Sequence, residues 1–285
     1  MILQMSWQVF ILKKCFHATK KTNMIRLTLF AFLTLIILVC SCKKNNDNNT
    51  PVNPASALIK SILFTDTTGQ FIASMSFQYD SQGKILQMIS DNPPDIDSLV
   101  HKYEYYPSMV IEKIFYPNNN KYGRTIYYLN SEGLAISETD IGYSPNGDSS
   151  VAQTATYKYN TIGYMTEKKS YFYGDTAAWM SFNWQIINGN NISLVFGLAV
   201  WSGVSVTENY DYYPNSVNTL GNSNTGKMFL GKSNINLIKS SITNNTTPKT
   251  GQYSYVYDSM NRVIKEFIRG NGLTSSTLNL TYTYY

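Results

Sequence analysis

The sequence predicts an all-β protein, an antiparallel meander of repeated hairpins curled into a half-barrel or barrel-like sheet. Three observations carry this. Side chains alternate with period two: Met75, Phe77 and Tyr79 against Ser76 and Gln78, and Leu278, Leu280, Tyr282 and Tyr284 against Asn279, Thr281 and Thr283. Such alternation, rich in Tyr, Ile, Val and Thr, marks a sheet with one buried face. A four-residue turn opening on Asp or Asn recurs between these strands. No stretch of a dozen residues after position 42 carries an apolar stripe at helical spacing without Gly, Pro or Asn interrupting it. With no helix available as a cover, the sheet must wrap over its own greasy face.

The chain opens with an extension and a leader, residues 1–41. Residues 27–39 (LTLFAFLTLIILV) form an apolar run preceded by Arg26 and followed by Cys40-Ser41-Cys42-Lys43-Lys44. A bilayer-spanning helix needs about 20 apolar residues, so this shorter run behind a positive flank reads as a secretory signal. A signal of ordinary length would begin at Met24, which makes residues 1–23 an upstream extension from Met1. The end of the run resembles the bacterial lipoprotein signal, in which cleavage precedes a cysteine that then receives acyl chains. Cys42, with Ser41 before it, fits that role; Cys40 would place bulky Val39 at the cut. The resemblance implies cleavage of 1–41 and lipidation of Cys42. A plain secretory signal, which would release the protein, and an uncleaved anchor are the competing readings.

Residues 42–56 (CKKNNDNNTPVNPAS) are polar and Asn-rich, with two prolines. They cannot bury enough apolar surface to order themselves and read as a lipidated cysteine followed by a flexible tether. The folded part, 57–285, is then a single β-meander domain. All three cysteines lie at or before position 42, so this domain has no disulfide, thiol nucleophile or cysteine zinc site.

Within the domain the turns repeat. Asp80-Ser-Gln-Gly83, Asn130-Ser-Glu-Gly133, Asn160-Thr-Ile-Gly163 and Asp258-Ser-Met-Asn261 each follow an alternating strand. Asp or Asn in first place accepts hydrogen bonds from the turn, and Gly or Asn in fourth place tolerates positive φ. Together they specify a type I turn closed by a bulge. Weaker copies stand at Tyr106-Pro-Ser-Met109, Ile187-Asn-Gly-Asn190 and Tyr213-Pro-Asn-Ser216. The spacing is about 24–30 residues, stretched between Tyr213 and Tyr257, and such periods imply stacked units with a continuous core. The domain has room for roughly eight hairpins, more than a flat sheet normally holds.

The unit aromatic-x-Tyr-Asp-x-x-Gly-Arg/Lys resembles the YD repeats of Rhs and teneurin-type shells. Lys84 and Arg262 occupy its basic position, whereas Leu134 and Tyr164 depart from it. The chain also resembles a family of Bacteroidota-type envelope lipoproteins. The likeness is carried by Gly231-Lys-Ser-Asn-Ile-Asn-Leu-Ile-Lys239, by 253–268 and by the Tyr-rich strand 278–285. It implies the fold and an outer-membrane lipoprotein on the periplasmic or cell-surface face, and no activity.

Charge excludes one class of partner. Five of the 23 cations precede position 42, leaving 18 against 18 acids. A neutral domain does not match a nucleic-acid binder, which needs a basic surface. With 23 Tyr, all after position 42, it is also too aromatic for a solvated coil.

Catalytic chemistry has little to work with. The single histidine of the domain, His101, reads as a structural strand-edge residue, and no phosphate loop or paired metal-ligand motif occurs. Asp91, Asp95 and Asp97 cluster in one proline-containing loop and form a weak candidate for a hard cation, against the plainer reading of a solvated loop. Carboxylate-based glycan hydrolysis is the remaining enzyme option. Trp179, Trp184 and Trp201 are weak ligand-binding candidates; Trp184 pairs with Phe182 at period two and is expected in the core, Trp179 at the surface. Asp66-Thr, Asp97-Ser, Asp175-Thr and Asp258-Ser resemble O-glycosylation acceptors of Bacteroidota exported proteins.

The expected function is a membrane-anchored envelope lipoprotein with a noncatalytic ligand- or partner-binding β domain, taking a glycan or an apolar molecule. No cofactor is implied. The alternative is lipid or lipoprotein handling by an apolar concave sheet. An integral outer-membrane barrel is a further reading, opposed by Lys158, Lys168, Lys169, Lys265 and Glu266 within candidate strands.

Overall fold

Each repeated turn forms as its residues dictate. The Asp80 carboxylate accepts hydrogen bonds from the backbone N–H groups of Gln82 (2.8 Å) and Lys84 (2.9 Å), and Gly83 sits at φ 78°. Asn130, Asn160 and Asp258 cap their turns in the same way, with Gly133, Gly163 and Asn261 at positive φ. The register slips by one at the residue before each of these turns, so the expected bulge is present in all four hairpins.

The computed structural model describes residues 58–91, 98–144, 146–172, 179–198, 204–244, 247–270 and 277–285. Among them are sixteen strands. The first eight are β1 (Ile59–Thr65), β2 (Phe71–Tyr79), β3 (Ile85–Asp91), β4 (Leu99–Tyr106), β5 (Met109–Phe115), β6 (Lys121–Leu129), β7 (Ala135–Tyr143) and β8 (Ser149–Tyr159). The second eight are β9 (Met165–Phe172), β10 (Trp179–Ile187), β11 (Asn190–Leu198), β12 (Val204–Val217), β13 (Asn236–Asn244), β14 (Thr250–Tyr257), β15 (Val263–Gly270) and β16 (Leu278–Tyr284). Every strand pairs antiparallel with its sequence neighbour, and β16 returns to pair with β1 from Ile59↔Tyr284 to Thr65↔Asn279. The meander is a closed barrel, the fully curled form of the expected sheet.

The alternation sorts side chains cleanly. Phe77, Tyr103, Val110, Tyr157, Leu280 and Tyr282 face inward and are buried. Ser76, Gln78, Lys102, Lys158, Gln252, Ser254, Lys265 and Arg269 face outward and are exposed. A lipid-facing barrel wall needs an uninterrupted apolar row, and this wall carries cations and amides along its strands. Of the charges expected to interrupt strands, Lys158, Lys169 and Lys265 point outward, while Lys168 and Glu266 point into the barrel.

Two local expectations change. Residues 213–216 are not a turn: they lie inside β12, where pairing with β13 jumps from Tyr212 to Val217. The unpaired carbonyls of Pro214 and Ser216 are taken up by the side-chain amide of Asn236, which makes a bulge out of a turn-like sequence. His101 is not at a strand edge: it faces inward within β4, beside Ile114 of β5.

Candidate functional site

The stretched interval between Tyr213 and Tyr257 has a structural cause. Residues 218–235, between β12 and β13, form no strand; they cross one mouth of the barrel and plug it. The turns of the β2–β3, β6–β7, β8–β9, β10–β11 and β14–β15 hairpins ring the same mouth. The plug is stitched to this rim: its Asn224 carbonyl accepts from Ile59 N (2.9 Å) and its Gly226 carbonyl from Ile85 N (3.3 Å). Lys232 N donates to the Gly163 carbonyl (2.9 Å), Ile235 N to the Gly189 carbonyl (3.1 Å), and Val263 N to Thr219 Oγ1 (3.1 Å). A short 3-10 turn, Met228–Leu230, sends Phe229 inward against the rings of Tyr127 (4.9 Å between centroids) and Tyr105 (6.5 Å).

The plug fits because of two glycines. Gly226 (φ 69°) and Gly231 (φ 84°) have positive φ, and a Cβ on either would collide. At Gly226 it would stand 2.6 Å from Ile85 N, and at Gly231 2.7 Å from the Tyr159 ring. Gly231 opens the Gly-Lys-Ser-Asn stretch noted in the sequence, whose Lys232 and Asn234 bind the rim.

The outer surface of the plug and the adjoining turns enclose a groove of about 740 Å³. Its apolar lining residues are Leu134, Ile162, Tyr164, Val217, Met228 and Ile235, and its polar lining residues include Asn218, Asn224 and Asn234. Val217 is 67% exposed and Ile162 57%, although both are aliphatic. A second cavity of about 230 Å³ shares Tyr164, Lys232, Ser233 and Asn234 with the groove and is lined on its far side by Trp184 and Ile186.

Beneath the plug, the lumen holds buried carboxylates on inward positions. Glu112 accepts from the hydroxyls of Tyr103 (2.7 Å) and Tyr127 (3.0 Å), and His101 Nδ1 lies 2.7 Å away. Burial opposes its ionisation, but the His101 contact, the charge of Lys227 and the Tyr103 hydroxyl outweigh it and hold the carboxyl down to about 2. Glu138 accepts from Tyr157 and pairs with Lys168 (2.7 Å). Glu266 accepts from Tyr282 (2.6 Å), yet burial prevails and its carboxyl is raised. Desolvation also pushes the phenols of Tyr103, Tyr127, Tyr157 and Tyr282 upward, so they remain donors. These carboxylate–phenol and carboxylate–cation pairs form an internal framework that ties the strands together under the plug.

The sequence candidates are scattered by the fold. Trp184 faces inward, stacked on Phe182 at 5.9 Å, and reaches the second cavity. Trp179 faces outward at the far end of β10, opposite Tyr171 and under Lys169 (4.7 Å). Trp201, Asp95 and Asp97 lie outside the described residues, as does Cys42. Asp91 is exposed and accepts from Ser98. Among the described residues no group of three or more His, Cys, Asp or Glu side chains is placed to hold a metal. Asp66 and Asp258 cap turns, and Asp97 and Asp175 are outside the described residues. The groove itself was missed. Its signal was the interval that broke the repeat and the aliphatics Ile162, Val217 and Ile235 in turn-forming sequence.

No family model matches the chain, and no curated protein matches it. Its fold matches solved structures. A porin-like protein from Bacteroides uniformis ATCC 8492 is 15% identical, with a TM-score of 0.57 over 80% of this chain and 98% of that one. A porin-like protein from Bacteroides vulgatus ATCC 8482 is 14% identical, with a TM-score of 0.52 over 80% of this chain and 99% of that one. A TcdB2-TccC3-Cdc42 structure aligns over 77% of this chain and 13% of its own, at a TM-score of 0.29.

Proposed function

We propose that this protein is a membrane-anchored cell-envelope lipoprotein whose barrel is a noncatalytic binding domain, with the groove at the plugged mouth as its recognition surface. The groove carries the reading: aliphatic side chains are held exposed in one concavity of about 740 Å³ by a plug bonded into the rim. Exposed apolar surface gathered in a concavity marks a contact site. The outward row of cations and amides supports a barrel that stands in water beside a membrane. The envelope setting is supported by the leader around Cys42 and by the fold shared with porin-like Bacteroides proteins.

The tether after Cys42 leads into Ile59, whose N–H is bonded to the plug, so the chain enters at the plugged mouth. The exposed aliphatic side chains of the groove fit an apolar or amphipathic ligand.

Trp184 supplies the test, because it lines the cavity that shares a wall with the groove. Titrating oleate into the Cys42→Ala protein shifts Trp184 emission to shorter wavelength, and Ile162→Asp or Met228→Asp abolishes the shift. A Trp184→Phe control assigns the signal. Emission that ignores oleate but responds to a neutral hexasaccharide would transfer the site to glycans. The intact mass of the mature protein checks acylation at Cys42.

Handling of a lipid inside the barrel is the second reading, favoured by one observation. Inward-facing Phe64, Met75, Ile268 and Leu278, away from the plug, are only partly buried. Lipid co-purifying with the protein, and persisting in Ile162→Asp, would select the lumen over the groove.

A further inference from the structure

Lys102 on β4, Lys113 on β5 and Arg124 on β6 stand directly opposite one another, on the outer wall, in one row across three adjoining strands. Like charges placed directly opposite in a sheet repel, and the domain as a whole has no excess of cations to force such a row. We infer that this row is a binding site for an acidic glycan, separate from the groove and independent of it.

Three further features fit the assignment. A pocket of about 320 Å³ opens at the row, lined by Lys113, Lys121 and Arg124 together with Phe115 and Tyr143. Among the described residues, Glu104 pairs with Lys113, while Lys102, Lys121 and Arg124 form no ion pair. Arg124 Nε is buried without a hydrogen-bond partner among the described residues, a donor that a bound anion would satisfy.

The cations are also held in place. Lys102 lies over the Phe115 ring at 5.3 Å, and Lys121 over the Tyr143 ring at 5.5 Å. Rings that pin ammonium groups to the wall reduce the ordering that binding would otherwise require. Strands about 4.8 Å apart set Lys102 and Arg124 about 10 Å from each other, a span that two acid groups on neighbouring sugar rings cover. Beside the row, Tyr122 is 46% exposed and braced edge-on by Tyr116 at 5.4 Å. It offers a flat apolar surface to the CH face of a sugar, which a bare phosphate site would not need.

The test is calorimetric titration of the full-length protein in detergent with an oligogalacturonate hexamer and a chondroitin sulfate hexasaccharide, with maltohexaose as the neutral probe. Binding of either acidic sugar, its loss by about tenfold or more in Lys102→Gln and in Arg124→Gln, and no binding of maltohexaose are the expected results. Lys102→Gln relieves a like-charge neighbour, so its melting temperature without ligand stays the same or rises while affinity falls; a merely structural lysine would lose both. Glu104→Gln frees Lys113 and tightens binding. No binding of either acidic sugar, equal binding in both charge variants, or hexathymidylate binding as tightly as the sugars would overturn the assignment.

Discussion

Tyr103 on β4 and Glu112 on β5 face each other directly across the strand pair, and the buried phenol donates to the buried carboxylate at 2.7 Å. Tyr127, opposite Val110 on the next strand, donates to the same carboxylate from the other side. Three strands are tied to one acid at the level where Phe229 descends from the plug.

Acid should therefore weaken the barrel through Glu112. Its folded pKa of about 2 lies below the ordinary 4.5. The stabilisation is fully present above pH 4.5 and is lost as pH falls toward 2. At about 1.4 kcal/mol per pKa unit, it amounts to about 3 kcal/mol. Glu112→Gln should melt lower at pH 7 by a comparable free energy and show a flatter stability profile between pH 5 and 2. A variant with wild-type pH dependence would assign the acid transition elsewhere.

Glu266 should behave in the opposite sense. Burial raises its carboxyl above 4.5 despite the hydroxyls of Tyr282 and Tyr255. A raised folded pKa means that stability is greatest below pH 4.5 and declines as pH rises through the folded value. Glu266→Gln, which keeps an acceptor for Tyr282, should leave stability at pH 7 unchanged or raise it by up to about 1 kcal/mol. Chemical denaturation at pH 4 and 7 separates the two glutamates, and a large loss at pH 7 would refute the assignment.

The plug glycines should be more sensitive to an added methyl group than glycines in open turns. Gly226→Ala and Gly231→Ala place a methyl group into Ile85 N and the Tyr159 ring, and should each cost at least about 2 kcal/mol. Gly69 and Gly147 also have positive φ, but a Cβ there meets nothing within 4 Å. Their alanine variants should cost only about 1 kcal/mol. Hydrogen exchange at Ile59 and Lys232 amides, which bond the plug to the rim, should accelerate selectively in the first pair.

Removing the plug's inward tip should weaken the closed mouth without altering the strands. Phe229→Ala takes a buried ring from between Tyr105 and Tyr127 and should cost about 3–5 kcal/mol. Far-ultraviolet circular dichroism should keep its β signature below the lowered melting temperature. Loss of that signature at low temperature would mean that the plug nucleates the barrel.

Most of the wall was legible because the relevant physics is local. Asp80 and Gly83 announce a turn within four residues, and Phe77 and Tyr79 announce a face within three. Glu112 was also visible in principle, as a charge in the inward series Val110, Glu112, Ile114, but a lone acid on an apolar face has no partner until the register sets it beside Tyr103 and His101. The row of Lys102, Lys113 and Arg124 was not legible, since each alternates properly on its own strand and only pairing aligns them. The plug is marked in the sequence only by the interval that breaks the repeat; the turn-like stretch at Pro214 does not show that the following residues cross the mouth. His101 was misplaced because a polar ring on a half-buried strand resembles an edge residue until its carboxylate partner is seen.

The pairing of β1 with β16 has a consequence for how the molecule is made. The first strand pairs early with β2 but finds its second hydrogen-bonding neighbour only when β16 exists, so until then the growing sheet keeps two open borders, each able to recruit a stray strand. The ring cannot shut before β16 is made, and deleting β16 should convert the closed barrel into a self-adhesive ribbon.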